Sequence, residues 1–455
     1  MSRTTLASRA ALENALLTVL ETRGPASSAD LQITTGKSQP TVSRLLGALS
    51  TRGVVPLGRG RGTRYGVCKP ILGAVHGQQP IWRHDEHGGV ERWGTLTWLA
   101  NQQIHVQTGT REWPLTHDLP WFLAPLRIEG YLGRLAARSS YLSAAVGDDL
   151  ENWSVEQHLY AAIARIHDGP GAMTLGDPEG SAAPEPSPTD DTQRALHYDR
   201  IAADVAAHLN PGSSAGGEQA KFVANRAVHS TGRWSWEHLI VKFTAPRDTP
   251  FGARWHDLLH AEALALLTLR EAGEPAAFAR VLTSDRRTYL ESVRFDRMGS
   301  HGRRHVVSLK AVHSAFVGGS MRNWAATADA LVAQRRLSAD DARRARLWRA
   351  FGRLIGNSDM HFGNLSLWAD DPASERFALA PCYDMLPMAY RPDLHRDDLG
   401  PTPLDPATPT PQDTAVWSDA RRLAQMFWQR VADHRPCSPA FRRLAAENAG
   451  RVGTP

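Results

Sequence analysis

One run of polar residues limits what this chain can be more than any other feature. Directly after an amphipathic stretch carrying Leu347, Phe351, Leu354 and Ile355 and ending at Gly356 comes Asn357-Ser358-Asp359-Met360-His361-Phe362-Gly363-Asn364. An Asp followed five residues later by an Asn fits a phosphoryl-transfer loop, in which the Asp accepts the proton of the attacking hydroxyl and the Asn holds magnesium. Two candidate strands, Leu365-Ser366-Leu367-Trp368 and Phe377-Ala378-Leu379-Ala380, then lead to Cys382-Tyr383-Asp384. A hairpin there returns Asp384 to the side of Asn364 and adds a second hard oxygen ligand, the kind magnesium prefers.

Three further features precede that loop. Ser213-Ser214-Ala215-Gly216-Gly217-Glu218-Gln219-Ala220-Lys221 is a small-residue loop whose glycines let backbone N–H groups approach phosphate oxygens, although alone it reads equally well as a surface turn. Leu239-Ile240-Val241-Lys242-Phe243 puts a lysine inside a β run. A buried lysine needs an anion, whereas an edge-strand lysine only reaches for water. The stretch from His256 to Ala272 reads as a helix with Leu259, Ala263, Leu266 and Leu267 facing inward, and with Glu262 placed to pair with Lys242 or orient a metal. Its His256-Asp257-Leu258-Leu259-His260 has the i, i+4 histidine spacing of zinc proteases. Asp257 stands where their general base is a Glu, so ordinary helix-surface histidines are the better reading. Glycine loop, strand lysine, helix glutamate, Asp-x4-Asn loop and post-hairpin Asp follow one another in the order a protein kinase uses them.

Charge separates the chain into two parts. The net charge of 455 residues is +5, but residues 1–70 hold ten Lys or Arg against three Asp or Glu, leaving the rest slightly acidic. This basic head reads as a helical unit with a ribbon. Leu12, Ala15, Leu16, Val19 and Leu20 mark a first helix; Ser27-Ser28-Ala29-Asp30 is a capping-box start for a second, stopped by Gly36; Ser38 and Pro40 open a third with Val42, Leu45, Leu46 and Leu49 on one face. Val54–Leu57 and Thr63–Val67 flank Gly58-Arg59-Gly60-Arg61-Gly62 as a two-stranded ribbon. That is a winged helix-turn-helix, whose third helix enters the major groove of double-stranded DNA. Lys37, Gln39, Thr41, Ser43 and Arg44 lie on it, with Gln39 and Arg44 able to read base edges, while Arg59, Arg61 and Arg64 on the wing suit phosphate or minor-groove contact. Such modules often read two half-sites as dimers, so a homodimer is a further expectation.

With 42% hydrophobic and 22% charged residues the chain is neither fibrous nor wholly disordered. Three cysteines, Cys68, Cys382 and Cys437, without C-x-x-C spacing, speak against disulfide frameworks and structural zinc. With no signal-peptide pattern and no apolar run of the ~20 residues that span a bilayer, the expectation is a cytoplasmic protein that avoids membranes. Two Gly-, Pro- and Ser-rich stretches, 168–192 and 391–412, read as loose connections.

The residues resemble the HipA family of bacterial serine/threonine kinases, toxin components of toxin–antitoxin pairs. Ile355 to Asn364 carry most of the likeness, with support from Ala380-Pro381-Cys382-Tyr383-Asp384, from Arg294-Phe295-Asp296-Arg297, from the Ser-Ser-x-Gly-Gly loop, and from Leu119 to Gly130. The likeness covers roughly residues 75–435, and the fused winged helix is similar to the YjjJ branch. The resemblance implies a multidomain α+β protein, a winged helix-turn-helix followed by a HipA-like two-lobed protein-kinase-like fold. Its parts are then a head (1–72), an α+β subdomain (75–167), a flexible loop (168–192), an N-lobe-like part with a phosphate-binding loop (193–300), and a helical C-lobe with catalytic loop and metal site (301–455). It implies Asp359 as catalytic base and Asn364 and Asp384 as magnesium ligands. An ATP site follows from Ser214, Gly216, Gly217, Lys221, Lys242, Glu262, Arg294, Phe295, Asp296 and His361. It also implies autophosphorylation of Ser213 or Ser214, ejecting that loop and silencing the enzyme, and phosphorylation of an unidentified protein. Val293 stands where the family usually has Glu before Arg-Phe-Asp-Arg, so adenine recognition at that hinge rests on backbone groups. Two other functions fit parts of the pattern: a DNA-binding regulator whose kinase-like body only senses nucleotide, and a magnesium-dependent nuclease.

Overall fold

The computed structural model describes residues 3–138, 144–164, 168–178, 186–208, 219–230, 233–392, 402–405 and 407–453. The head contains α1 (Arg3–Thr22), β1 (Ala26–Ser27), α2 (Ser28–Thr35), α3 (Gln39–Leu49), β2 (Val54–Leu57) and β3 (Arg64–Val67). Ser27 caps α2 through a reciprocal capping box with Asp30, and Gly36 ends it at φ +62°, where a side chain would be strained. Leu16, Leu20, Leu31, Val42, Leu45 and Leu49 close the core between the three helices. The expected two-stranded ribbon is a three-stranded sheet in the order β1-β3-β2, because Ala26 and Ser27 pair with Tyr65 and Arg64.

The next layer is an antiparallel sheet, β6 (Ile104–Gln107), β5 (Val90–Trp98), β4 (Gln78–His84) and β7 (Met173–Leu175) in that order, with α5 (Val155–Ile163) against β7, while α4 (Gly130–Ala137) approaches the strand at 221–230. Here one expectation fails. Residues 168–178 are no loose connection: Met173–Leu175 pair with Ile81–Arg83, and Asp168 to Gly171 are held by arginines. Small and polar residues leave the backbone free to join a ladder, and composition does not reveal a ladder partner. Pro186–Ser187 likewise form β8, parallel to the strand at 221–230. In the second stretch, Arg353 donates to Thr408 O at 2.8 Å and Asp413 accepts from Thr410 Oγ1 at 2.7 Å, so its described part is pinned too.

A five-stranded sheet follows, β11 (Ala279–Thr283), β12 (Thr288–Val293), β10 (Arg233–Phe243), β9 (Lys221–Ser230), β8. One face is covered by α6 (Asp191–His208), with Tyr198 and Ala202 against Phe222, Leu239, Val241, Phe243 and Tyr289. Strand side chains alternate, so Lys242, between Val241 and Phe243, emerges on the opposite face. That face meets α7 (Pro250–Glu271), whose Leu258 and Leu266 also join the largest core of the molecule. This core is built from α8 (Leu309–Phe316), α9 (Trp324–Ala333), α10 (Ala339–Leu354), α11 (Trp417–Asp433) and α12 (Pro439–Gly453) around Trp324, Trp348, Phe351, Phe427 and Trp428. Truncating Trp348, which is fully buried, to Ala is expected to cost about 3–5 kcal/mol. The hairpin of β13 (Arg297–Met298) and β14 (Gly302–Arg303) and the sheet β15 (Val306–Ser308), β16 (Ser366–Trp368), β17 (Ala378–Leu379) complete the fold. Among the described residues no helix is long and apolar enough to cross a membrane, and the three cysteines are free thiols.

Candidate active site

Lys242 is the centre of the site. Its Nζ lies 2.6 and 2.7 Å from the two carboxylate oxygens of Glu262 and also donates to Asp384 Oδ1. Lys242 and Glu262 are 6% and 1% exposed, so the plain reading of a lysine reaching for water does not hold. Burial alone would strip the ammonium of its proton, but the charges of Asp384 and Glu262 outweigh it and hold Lys242 above its ordinary value. Asp384 responds in kind: burial pushes its carboxyl up, and Lys242 and Lys221 together bring it down to about 2. It is therefore ionised at neutral pH.

The loop after α10 is the second half. Gly356 turns the chain at φ +78°, and Asn357, 5% exposed, is tucked beneath the loop. Its Oδ1 accepts the Asp359 N–H at 3.0 Å, and its Nδ2 donates to Asp384 O at 3.5 Å. Asn364 Nδ2 donates to Asp359 O at 2.9 Å, which leaves its Oδ1 as the outward donor atom. Tyr383 OH donates to Gly363 O at 2.7 Å, fastening the segment before Asp384 to the residue before Asn364. The hairpin expected from sequence thus forms, with β16 paired to β17. Asp359 is half-buried; burial raises its carboxyl pKa, the Asp384 charge adds to this, and His361 opposes it. A carboxyl lifted this way is a better proton acceptor than an exposed aspartate. Asp384 itself sits at φ +54°, a left-handed backbone that non-glycine residues adopt reluctantly.

The donor set suits magnesium. Among the described residues no group of three or more His, Cys, Asp or Glu converges as a metal cage. Magnesium does not need one, since it keeps waters and substrate phosphates around one or two protein oxygens. An ionised Asp384 and the amide oxygen of Asn364 are such a pair. Sequence reading left Asn357 without a role; its only signal was an amide inside an otherwise explained loop.

Other expected site residues go elsewhere. Arg294 and Asp296 are consumed by a buried ion cluster: Arg294 donates to Asp168 Oδ2 at 2.6 Å and Asp296 Oδ2 at 3.0 Å, and Arg297 to Asp296 Oδ2 and Asp168 Oδ1, both at 2.7 Å. Their side chains clamp the 168–171 segment, and these bonds occupy the polar atoms that the sequence reading assigned to ATP. Phe295 packs its ring against Trp368 and Tyr383, with centroids 5.5 and 5.7 Å apart. At the hinge the N–H groups of Val293 and Arg294 are already taken, by Phe278 O and His238 O at 2.8 Å each. Lys221 stands opposite Lys242 in the β9–β10 register. His361 is exposed, with Nδ1 accepting from Gly363 N–H at 3.0 Å. Ser213, Ser214, Gly216 and Gly217 lie outside the described residues.

Of the two helix histidines, His256 is half-buried and His260 buried. His256 bonds Thr288 and Pro436 O, and His260 is 6% exposed with Nδ1 2.9 Å from His434 Nε2. A helix position between two packed elements has no exposed face, whatever its spacing.

On the head, Lys37, Gln39, Ser43 and Arg44 are exposed along the start of α3, and Thr41 is half-buried beside Ser38. Among the described residues Arg61 has no side-chain partner, whereas Arg59 donates to Gly109 O at 2.9 Å and Arg64 to Pro25 O at 2.6 Å.

A mixed α/β chain with this two-part site has recognisable relatives. Residues 213–447 match the HipA-like C-terminal domain, and residues 75–182 match the middle domain of YjjJ-like toxins. The chain belongs to the HipA/YjjJ family of toxins. It is 36% identical over 448 residues to Toxin YjjJ of Escherichia coli (strain K12), covering 96% of this chain and 97% of that protein. Among solved structures, a chain of the Shewanella oneidensis MR-1 toxin–antitoxin complex of HipA, HipB and operator DNA aligns with TM-score 0.48 and 15% identity, over 82% of this chain and 95% of that one. The Helicobacter pylori proinflammatory kinase CtkA aligns with TM-score 0.32 and 12% identity, over 50% and 89%.

Proposed function

We propose that this chain is a serine/threonine protein kinase that uses ATP and magnesium, with a winged-helix head that binds double-stranded DNA. The observation that carries the reading is the convergence of Lys242, Glu262 and Asp384 at one buried point, joined through Asn357 to the loop that bears Asp359. In this reading Lys242, oriented by Glu262, meets the phosphates of ATP. Asp359 would accept the proton of a substrate hydroxyl as that oxygen attacks the γ-phosphorus and the bond to the bridging oxygen breaks, releasing ADP; Asn364 and Asp384 would hold magnesium, which would supply charge neutralisation at the phosphate oxygens. Little else is asked of the protein, because phosphoryl transfer is mostly a matter of position and charge. The acceptor is a serine or threonine of another protein and, within the chain, Ser213 or Ser214.

The DNA reading rests on the basic head, whose ten Lys or Arg against three Asp or Glu concentrate charge on a small unit, and on the exposed Lys37, Gln39, Ser43 and Arg44. Labelled ATP supplied to the purified chain and to a cell lysate tests the kinase. Phosphate on the chain or on lysate proteins that disappears in Asp359→Asn supports it. DNA binding modulated by ATP without any transfer, unchanged in Asp359→Asn, favours the nucleotide-sensing regulator instead.

A further inference from the structure

A cavity of about 440 Å³ opens between the β4–β7 sheet, α5, the β9–β10 pair and the β13–β14 hairpin. Lys242, Glu262, Asp359, Asn364 and Asp384 do not line it, so it is separate from the site above. One wall is apolar, with Val90, Leu126, Ile128, Ala162 and Leu239; the other carries Asp168, Arg294, Arg297 and Arg303. Its size falls in the ordinary range for small-molecule sites, about 300–1,000 Å³.

Among the described residues the charges around it do not balance. Asp168 and Asp296 are the two carboxylates of the cluster, and three guanidinium groups share them. Arg294 and Arg297 each touch both carboxylates within 3.0 Å. Among the described residues Arg303 meets only Asp168 Oδ1, at 3.5 Å, which is already bonded to Arg297. Its side chain lines the cavity and is 25% exposed, so the guanidinium is open to a ligand there. Burial, and then the neighbouring charge of Arg297, pull the Arg303 guanidinium down to about 10, the response of a cation short of counter-charge. A half-buried cation with one long contact has donors left for an anion, and a guanidinium fork matches carboxylate and phosphate oxygens.

We propose that this cavity binds a small amphipathic oxyanion, a carboxylate or a phosphate monoester on a short apolar body, with its head on Arg303 and its body against the Val90, Leu126 and Ile128 wall. The position gives such a ligand leverage on the kinase-like part. Arg294 follows β12 directly and its N–H is bonded to His238 O of β10, the strand that carries Lys242.

Thermal unfolding of the full chain with hexanoate, hexyl phosphate and neutral 1-hexanol tests this. At least one anion raises the midpoint saturably and 1-hexanol does not; which anion binds more tightly distinguishes carboxylate from phosphate. Arg303→Gln weakens that anion at least tenfold and Asp359→Asn leaves it unchanged. Equal shifts by 1-hexanol, no shift with either anion, or undiminished binding to Arg303→Gln overturns the proposal. Should Arg303→Gln fail to fold, Ala162→Phe fills the cavity from α5 and must abolish the shift; a retained shift overturns it equally.

Discussion

Lys242 Nζ sits almost equidistant from the two oxygens of Glu262, 2.6 and 2.7 Å away, at a point neither side chain shares with bulk water. Breaking a buried pair by removing one partner leaves an uncompensated charge, at a cost of about 3–5 kcal/mol. Lys242→Met is therefore expected to lower the unfolding midpoint by more than Lys242→Met/Glu262→Leu, in which both charges are gone. A single variant as stable as the wild type in thermal denaturation contradicts the buried-pair account.

Asn357 bonds Asp359 N–H and Asp384 O, which in the proposed reading makes it a positioning residue. Asn357→Ala is expected to lower kcat by about tenfold or more while KM for ATP moves little, because the loop loses its geometry and not its nucleotide contacts. Steady-state kinetics check it; a rise in KM at unchanged kcat assigns Asn357 to nucleotide binding instead.

Several features were legible in the sequence because they are local. The capping box at Ser27 and Asp30, the stop at Gly36, the Asp359 to Asn364 loop and the hairpin to Asp384 all follow from short spacings. What escaped was set by partners far away in the chain. Arg294 is bonded by Asp168 and Asp296 by the Gly171 N–H, partners more than a hundred positions earlier that no local spacing announces. Glu291 is another case: it gathers Arg194 at 2.7 Å and Arg226 at 2.9 Å in a fully buried cluster that no motif announces. The 168–178 segment failed for the same reason, since its ladder partner β4 lies some ninety positions away.

The head makes a prediction about salt. If Arg59, Arg61 and Arg64 meet phosphates, binding of the full chain to double-stranded DNA falls steeply with added salt, by roughly 0.9 log units per log unit of salt for each phosphate contact. Arg61→Ala is expected to reduce that slope uniformly across sequences, whereas Gln39→Ala changes sequence preference. Fluorescence anisotropy over a salt series measures both; a flat salt dependence removes the DNA assignment.

Buried histidines predict an acid limit. Burial pushes His158 and His305 down to about 4 and His260 to about 3, against an ordinary value of 6.5. Between those values the unfolded chain binds protons that the folded chain refuses, so stability is fully present above 6.5 and is lost as pH falls through the window. His305, 3% exposed, accounts for about 3 kcal/mol of that loss by itself. Unfolding midpoints measured from about pH 7.5 down to about pH 4.5 are expected to fall steadily, and a shallower fall in His305→Gln identifies its share. A flat profile contradicts the neutral buried rings.

Phosphoryl transfer at Asp359 is the central claim, and one measurement bears on it most directly: incorporation of labelled γ-phosphate by the purified chain with ATP and magnesium, wild type beside Asp359→Asn. The account predicts phosphoserine in the wild type and a rate lower by about 100-fold or more in the variant, the scale on which a general base acts. Equal incorporation in both, or none in either, contradicts it.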